Sequence, residues 1–321
     1  MNISFIIPVY NVEKYIGKAM MSIIDDNWGK YKYEIIVVDD ESPDNSITVV
    51  KEIKTRHPDS IIKIISQKNK GLGGARNTGL ENAEGDYIFF LDSDDYILKN
   101  TFRNLLELAY EKQLDVLEFG AIRVDEEYKQ IDEIFINTTN NNIYTGEHYV
   151  NIINFANSAC NKIYNREFLI RQNILFIERV YIEDAPFNVE VFAKASNVMA
   201  IDLIAVAYLQ NASSITRNKR TSAYLLKFIK DSILVTNRIK NLAAFYIDSN
   251  SENTIKKKVA FFVTGILWMI LKGNGLDKLQ KKELLTQLKE NGLFPYYHKT
   301  GSLPRTIMLF ILNLIGSLRI I

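Results

Sequence analysis

An α/β fold with a mainly parallel central sheet flanked by helices, followed by a mostly helical C-terminal region, is predicted by three observations. Over roughly the first 120 of 321 residues, runs of apolar β-formers alternate with helix-period patterns, the mark of repeated strand–helix units. The second of those runs, Ile35 to Val38 after Glu34, is apolar as a strand covered on both faces would be. From Ser222 onward only helical periodicity is left.

The elements follow in order. Ile3 to Val9 reads as a first strand ended by Pro8-Val9-Tyr10. Asn11 is placed to cap a helix in which Val12, Tyr15, Ile16, Ala19, Met20, Ile23 and Ile24 recur on one face. Glu34 to Val38 is a second strand, and Asp44 a cap for a helix with Ile47, Val50 and Ile53 inward. A third strand, Ile61 to Ile65, leads to a glycine-rich loop, Lys68 to Gly74, and a short helix through Ala83. Tyr87 to Leu91 is the fourth strand, and Lys99 to Gln113 an amphipathic helix. The pattern then loosens into Val116 to Val124, Ile131 to Ile136, a polar surface loop, Asn137 to Asn142, and a mixed region to about Thr216. Helices are expected over Tyr224 to Ile247, Ile255 to Leu271 and Leu276 to Glu290. No internal repeat is evident.

With 47% hydrophobic residues the chain can build a substantial core in one large domain or two modest ones. The net charge of +1 hides an asymmetry: residues 216–321 carry 18 Lys and Arg against 6 Asp and Glu, leaving 21 against 32 before them. A basic tail suits nucleic acid or anionic lipid. It lacks zinc-ligand spacings and aromatic RNA-binding signatures, so nucleic acid is not expected. Met1-Asn2 runs directly into an apolar strand without the basic stretch and cleavage site of a secretory signal. Cys160 is the only cysteine, which excludes an internal disulfide and points to a reducing cytoplasm.

The last segment, Leu303 to Ile321, is apolar but interrupted or flanked by Asn313 and Arg319, and shorter than a spanning helix needs. An interfacial helix drawn to anionic headgroups by neighbouring cations is expected, with burial against the domain or in a homodimer contact as the alternative.

The most informative feature is Asp92-Ser93-Asp94-Asp95, three carboxylates released together at the end of a buried strand. Alternate acids such as Asp92 and Asp94 suit a hard divalent cation bound through oxygen; a solvated turn is the plainer reading. Asp39-Asp40-Glu41-Ser42-Pro43-Asp44 ends the second strand and can accept hydrogen bonds from a nucleotide's base and ribose. Gly71, Gly73 and Gly74 permit close backbone approach, but their spacing fits neither the P-loop nor the dinucleotide fingerprint. Arg76 and Lys70 beside them can balance the acids or a diphosphate. Tyr10, Asp39, Asp40, Gly71 and Asp92 all fall beyond the carboxyl ends of strands, where ligands bind in such sheets. His57, His148 and His298 show no metal-ligand spacing.

Taken together, Ser4-Phe5-Ile6-Ile7-Pro8-Val9-Tyr10-Asn11, Val37-Val38-Asp39-Asp40-Glu41-Ser42-Pro43-Asp44, Asn69-Lys70-Gly71 with Ala75-Arg76-Asn77, Gly85-Asp86-Tyr87-Ile88 and Leu91-Asp92-Ser93-Asp94-Asp95, in that order, resemble the family 2 glycosyltransferases of the GT-A fold. The resemblance covers the first 100 residues closely, and Lys162, Glu183-Asp184 and Ser213-Ser214 more loosely up to about Arg217. Glu41 and Pro43 stand where the family usually carries Gly and Thr; both lie in the turn, not on its acids.

The resemblance implies a nucleotide-sugar half over residues 1–100, an acceptor half over 101–216, a helical region over 217–302 and a membrane-associating helix over 303–321. It implies that Pro8, Val9, Tyr10, Asp39, Asp40, Gly71, Arg76, Asp92 and Ser93 surround a UDP-sugar, and that Asp94 with Asp92 holds Mn²⁺ or Mg²⁺ against its diphosphate. Family members invert the anomeric centre in one displacement, which needs a general base on the acceptor hydroxyl. Asp184 holds that place in the family's Glu-Asp pair, with Glu183 orienting the acceptor or the loop, and Ser213, Ser214 and Arg217 are candidates to close over the diphosphate. The expected acceptor is a glycan or a polyprenyl-diphosphate-linked glycan at the cytoplasmic face of the inner membrane, in capsule, O-antigen or exopolysaccharide synthesis. A sugar-phosphate nucleotidyltransferase is the alternative, although Pro8-Val9-Tyr10-Asn11 stands where its glycine-rich loop belongs; a catalytically inactive nucleotide- or Mg²⁺-binding module is the other.

Overall fold

The computed structural model describes residues 1–210, 221–273 and 275–320. The chain divides into two compact units, Met1–Arg179 with Lys194–Ser214, and Val180–Ala193 with Ile215–Ile321.

In the first unit β1 (Ile3–Val9), β2 (Tyr33–Asp39), β3 (Ile62–Ser66) and β4 (Tyr87–Phe90) alternate with α1 (Ile16–Ile24), α2 (Ser46–Arg56) and α3 (Gly71–Glu81). Then come β5 (Tyr96–Ile97), α4 (Phe102–Glu111), β6 (Val116–Val124), β7 (Gln130–Ile134), α5 (Gly146–Ile152), β8 (Lys162–Asn165) and α6 (Arg166–Arg171), with β9 (Val198–Leu209) closing the unit. The sheet order is β3-β2-β1-β4-β8-β6-β9-β5, with β7 paired to β6. Strands β3, β2, β1 and β4 are mutually parallel, and β6 and β9 are parallel to each other. Strands β8, β5 and β7 run antiparallel to their neighbours. Every residue of β1 and β4 is buried, and all but Ser4 are apolar, as a doubly covered sheet requires. Phe5, Trp28, Phe89, Phe102 and Phe119 meet edge-on or tilted in this core, with centroids 4.8 to 6.4 Å apart.

Three local expectations are corrected. Asn11 does not cap α1: it stands at φ +57 with its N–H on Ser42 Oγ, and the helix starts at Ile16 after a turn closed by Val12. Asp44 lies one residue before the N-cap Asn45, yet its Oδ1 takes the Ser46 N–H and hydroxyl and its Oδ2 the Glu13 N–H, so it ties two loops instead of capping alone. Burial works against that carboxylate, but these donors outweigh it and hold its pKa at about 2. The glycine-rich loop ends at Lys70, and Gly71, Gly73 and Gly74 form the first turn of α3. The helix is glycine-rich because it is packed too closely for side chains: a Cβ at Gly79 would stand 2.2 Å from Ile6 Cγ2, and one at Gly73 2.4 Å from the Ile177 carbonyl oxygen.

At the opposite end of the strands, Glu34 is fully buried and holds three segments together. Its Oε1 accepts from Ser4 Oγ (2.6 Å) and from the Glu84 N–H (2.7 Å), and Lys63 Nζ pairs with Oε2 at 2.9 Å. Burial raises its pKa, but these partners overcompensate and leave it below the ordinary value.

The second unit contains α7 (Asp184–Lys194), whose last residue belongs to the first unit, then α8 (Ser222–Leu242), a 3₁₀ turn (Ala243–Phe245), α9 (Ser249–Lys272), α10 (Lys278–Glu290) and α11 (Leu303–Ile320). Thr221, Asp248 and a reciprocal Asp277–Gln280 capping box start α8, α9 and α10. The terminal segment is a helix packed on α9 and α10 through Leu309 and Leu312. Asn313 is buried and clamps Tyr296 at both backbone groups, donating to its carbonyl (2.7 Å) and accepting from its N–H (3.3 Å). Among the described residues, no helix is long and apolar enough to cross a membrane.

Gly79→Ala is expected to lower unfolding stability by about 1–3 kcal/mol through overpacking. Gly265→Ala, where a Cβ meets no atom within 4 Å, raises it by up to ~1 kcal/mol; equal effects in denaturant titrations would contradict this packing. Because the Glu34 pKa is depressed on folding, its stabilisation is present above the unfolded value and lost as pH falls through the folded one. The stability gap between wild type and Glu34→Gln therefore shrinks as urea titrations are taken from pH 7 down below pH 4.5.

Candidate active site

The ends of β1, β2 and β4 form one rim, and the sequence order reverses between β1 and β4, where such sheets open a ligand crevice. Proline helps to open it. Ile6 O accepts the last bond from β4, the Leu91 N–H at 3.0 Å, and Pro8, two residues on, faces the same neighbour. By then β4 has ended at Phe90, so the missing Pro8 N–H forfeits no ladder bond. Pro8 and Val9 are buried in β1, in register with Val38 and Asp39, while the Tyr10 side chain emerges 53% exposed.

At the end of β2 the two acids take different work. Asp39 is partly exposed; its Oδ1 accepts the Ser42 N–H (2.9 Å) and its Oδ2 the Ser66 hydroxyl (3.1 Å). Asp40 is buried, and its Oδ1 accepts from Gln67 Nε2 (2.7 Å) and the Lys70 N–H (2.8 Å), fixing the approach to α3. Glu41 adopts φ +63, the left-handed region that glycine enters without strain and other residues do not. Gly71, expected to admit a ligand, has φ +74 and a Cβ position 3.1 Å from Arg179 Cα, so the backbone it admits is the chain's own.

At the end of β4, α3 delivers Arg76 from behind. Its side chain is 1% exposed, and Nη2 donates to Asp92 Oδ1 at 2.8 Å. The same nitrogen lies 3.7 Å from Cys160 Sγ, and the guanidinium sits 5.2 Å from the Phe176 ring centroid. Arg76 thus holds Asp92 from within the core instead of standing open at the rim. Asp92 and Asp94 are partly exposed, Ser93 and Asp95 buried. Asp95 closes the turn by donating its N–H to the Asp92 carbonyl and accepts the Leu209 N–H at 2.9 Å. Burial pushes its carboxyl well above the ordinary range, and repulsion from Asp94 and Asp92 adds to the shift. The two neighbouring carboxylates thus add to what burial already does against ionisation of Asp95, and the turn concentrates negative charge.

That potential suits a divalent cation. Among the described residues no three His, Cys, Asp or Glu side chains are grouped to cage one alone. One or two partly exposed carboxylates are the donor set of an ion that takes its other ligands from a diphosphate and water.

Sequence reasoning left several neighbours without a role. Lys162 is fully buried: Nζ donates to the carbonyls of Ala156 (3.0 Å) and Ser158 (2.9 Å) and to Asn161 Oδ1 (2.8 Å), and pairs with buried Glu118 at 3.3 Å. It pins the loop that carries Cys160 to Arg76 and Ser158 to within 3.2 Å of the Tyr208 hydroxyl. Burial raises the Tyr208 pKa far above normal, with charge on Cys160, Asp95 and Asp92 adding to it. The run of acids at 92–95 signals this cluster, but nothing local to residues 158, 162 or 208 does.

Glu183 and Asp184 belong to the second unit; Glu183 is buried and Asp184 opens α7. Ile182 just before them has φ +66, a strained value for a β-branched residue. Within that unit the segment is anchored to α8: the Tyr181 N–H donates to Asp231 Oδ2 (3.1 Å), which also accepts from Lys227 Nζ (2.6 Å), and Arg238 pairs with Glu190 at 2.7 Å. Ser213, Ser214 and Arg217 lie outside the described residues.

Three relatives define the company of this geometry. The chain is 32% identical over 221 residues to the uncharacterized glycosyltransferase EpsJ of Bacillus subtilis (strain 168), a match covering 67% of this chain and 62% of that one. It is similar to the Staphylococcus aureus poly(ribitol-phosphate) β-N-acetylglucosaminyltransferase TarS, 35% identical over 117 residues, which are 36% of this chain and 20% of TarS. The structure of TarS residues 1–349 with UDP-GlcNAc superposes with a TM-score of 0.71 at 21% identity, covering 98% of this chain and 89% of that one. The Pyrobaculum calidifontis mannosyltransferase PcManGT with GDP-Man and Mn²⁺ superposes at 0.55 and 16% identity, over 98% and 87%. These likenesses give the fold as GT-A, and a helical C-terminal region follows it in the chain. The family model described as glycosyl transferase family 2 matches residues 4–171, more than half of the chain, and the protein belongs to that family.

Proposed function

We propose that the protein is an inverting transferase that moves a sugar from a UDP-sugar to a hydroxyl of a glycan or polyprenyl-diphosphate-linked acceptor in surface-polysaccharide assembly, working in the cytoplasm at the inner membrane face. The observation that carries it is the turn after β4, where Arg76 grips Asp92 from the core and leaves Asp94 partly exposed beside a buried, reluctant Asp95. A UDP donor is supported by the TarS complex and a surface polymer by the TarS name.

Each residue then has a task. Tyr10 presents an exposed ring for the base, and the Asp39 carboxylate, partly exposed at the end of β2, accepts from base or ribose. Asp92, held by Arg76, orients the ribose or the sugar, with Ser93 next to it among the residues around the donor. Asp94, with Asp92, would hold Mn²⁺ or Mg²⁺, and when bound the ion offsets the charge that builds on the leaving UDP. Asp184 takes the proton from the acceptor hydroxyl as the hydroxyl oxygen attacks the anomeric carbon and the bond to UDP breaks. Glu183 orients the acceptor or the loop, and strain at Ile182, of a kind that clusters at functional sites, supports a working role for the pair.

Purified protein is expected to release UDP from at least one UDP-sugar, faster with membrane lipid extract as acceptor source, and only with Mn²⁺ or Mg²⁺ present. Asp94→Ala is expected to lower that rate by roughly 10²–10³-fold, the size of effect seen when a charge-stabilising group is lost. Asp184→Asn lowers transfer by roughly 10²–10⁴-fold while calorimetric UDP affinity is kept. Wild-type turnover by Asp184→Asn would remove the base assignment, and metal-independent release the Asp94 one.

A further inference from the structure

One apolar surface of the second unit has no covering element among the described residues. Helix α11 is seated through Leu309 and Leu312, and a Cβ at Gly316 would lie 2.9 Å from the Phe294 ring. Its other side carries Leu303, Ile307, Phe310, Ile311, Leu314 and Leu318, all about half exposed or more, with Phe310 at 56%. Steps of four, three, one, three and four residues put them along one face. The Asn313 clamp on Tyr296 fixes the rotation of the helix, so this face is held outward.

Helix α9 extends the surface. Phe261 and Trp268 are two turns apart and nearly half exposed, with Gly265 and its open Cβ position between them. The Arg305 guanidinium of α11 lies 3.7 Å from the Phe261 ring centroid, so the exposed residues of the two helices adjoin there.

We propose that this face of α9 and α11 rests on an anionic lipid surface, with the outward apolar row of α11 and the rings of Phe261 and Trp268 in the headgroup–acyl boundary. Charge selects this occupant. Residues 303–320 contain Arg305 and Arg319 and no acid; Lys257 and Lys258 precede Phe261 and Lys272 follows Trp268, while Lys256 is paired with Glu252 at 2.6 Å. Apolar side chains flanked by cations are what an interfacial helix needs, and tryptophan favours that depth. A second copy would instead set this excess of positive charge against itself. The inference deepens the lipid-linked acceptor reading and rests on it for its purpose; vesicle binding and UDP binding are read separately, so either can fail alone.

Removing residues 303–321 is the wrong test, because Leu309, Leu312 and Asn313 help to build the unit. The full chain should instead float with vesicles of phosphatidylcholine containing about one third phosphatidylglycerol, and bind at least ~10-fold less to pure phosphatidylcholine or in high salt. The outward triple variant Ile307→Glu, Phe310→Glu, Leu314→Glu, and separately Trp268→Ala, should weaken flotation, the triple by at least ~10-fold, with UDP affinity and thermal unfolding unchanged. Wild type that ignores both vesicle types, or variants that float as it does, would overturn the proposal. A wild-type dimer that the triple variant converts to monomer, without vesicle binding, would give the face to a second copy.

Discussion

The ion pair between buried Arg76 and partly exposed Asp92 is the constraint on which the candidate site depends. A guanidinium shut away from water is tolerable only if its charge is met. Here the partner is the first residue of the acidic turn, at 2.8 Å. Helix α3 can bring Arg76 there only because Gly79 lets it lie against Ile6 of β1 and Gly73 lets it lie against Ile177. The glycines, the arginine and the first acid are therefore one device. It converts close helix–sheet packing into a fixed carboxylate at the mouth of the crevice.

That device was only half legible in the sequence. Strands β1, β2 and β4 announce themselves because a strand buried on both faces has no polar face to write, and the acids that follow them stand out against that background. Asp39, Asp92 and Asp94 could be picked out for this reason. The glycines were read as a loop open to a ligand, because local pattern cannot distinguish glycine used for conformation from glycine used for proximity. Only Gly71, at φ +74, needs its freedom for conformation; Gly73 and Gly79 are small because something else occupies the space. Similarly, Asn11 looked like a helix cap, but its N–H is held by Ser42, a residue thirty-one positions away.

Identical side chains at the rim carry different chemistry, and burial sorts them. Asp40 and Asp95 point inward and are occupied by backbone donors, whereas Asp39, Asp92 and Asp94 keep a partly exposed position. The inward pair shapes the loops, and burial, with the neighbouring Asp94 and Asp92 charges adding to it, raises the Asp95 carboxyl pKa. Behind them Lys162 and Glu118 form a second buried ion pair that holds the 156–160 loop against Arg76. Strands β6 and β8 bring those two residues side by side across 44 positions of sequence, which no local spacing could reveal.

Hydropathy fails differently at the C-terminus. An apolar helix with two apolar faces gives the same composition whether it is buried, dimeric or interfacial, and the choice depends on which residues face inward. Asn313 decides it. Read as a polar interruption of a membrane-facing segment, it is in fact the residue that binds the helix to its own unit, through both backbone groups of Tyr296. A polar side chain that satisfies a buried backbone pair costs little and fixes orientation, whereas the same amide turned toward hydrocarbon would be left without a partner. The apolar residues on the other side are then surplus to folding. Under the lipid-surface proposal a non-aqueous phase meets Phe310, Ile311 and Leu314, and the cations of α9 and α11 are the reason for proposing an anionic one.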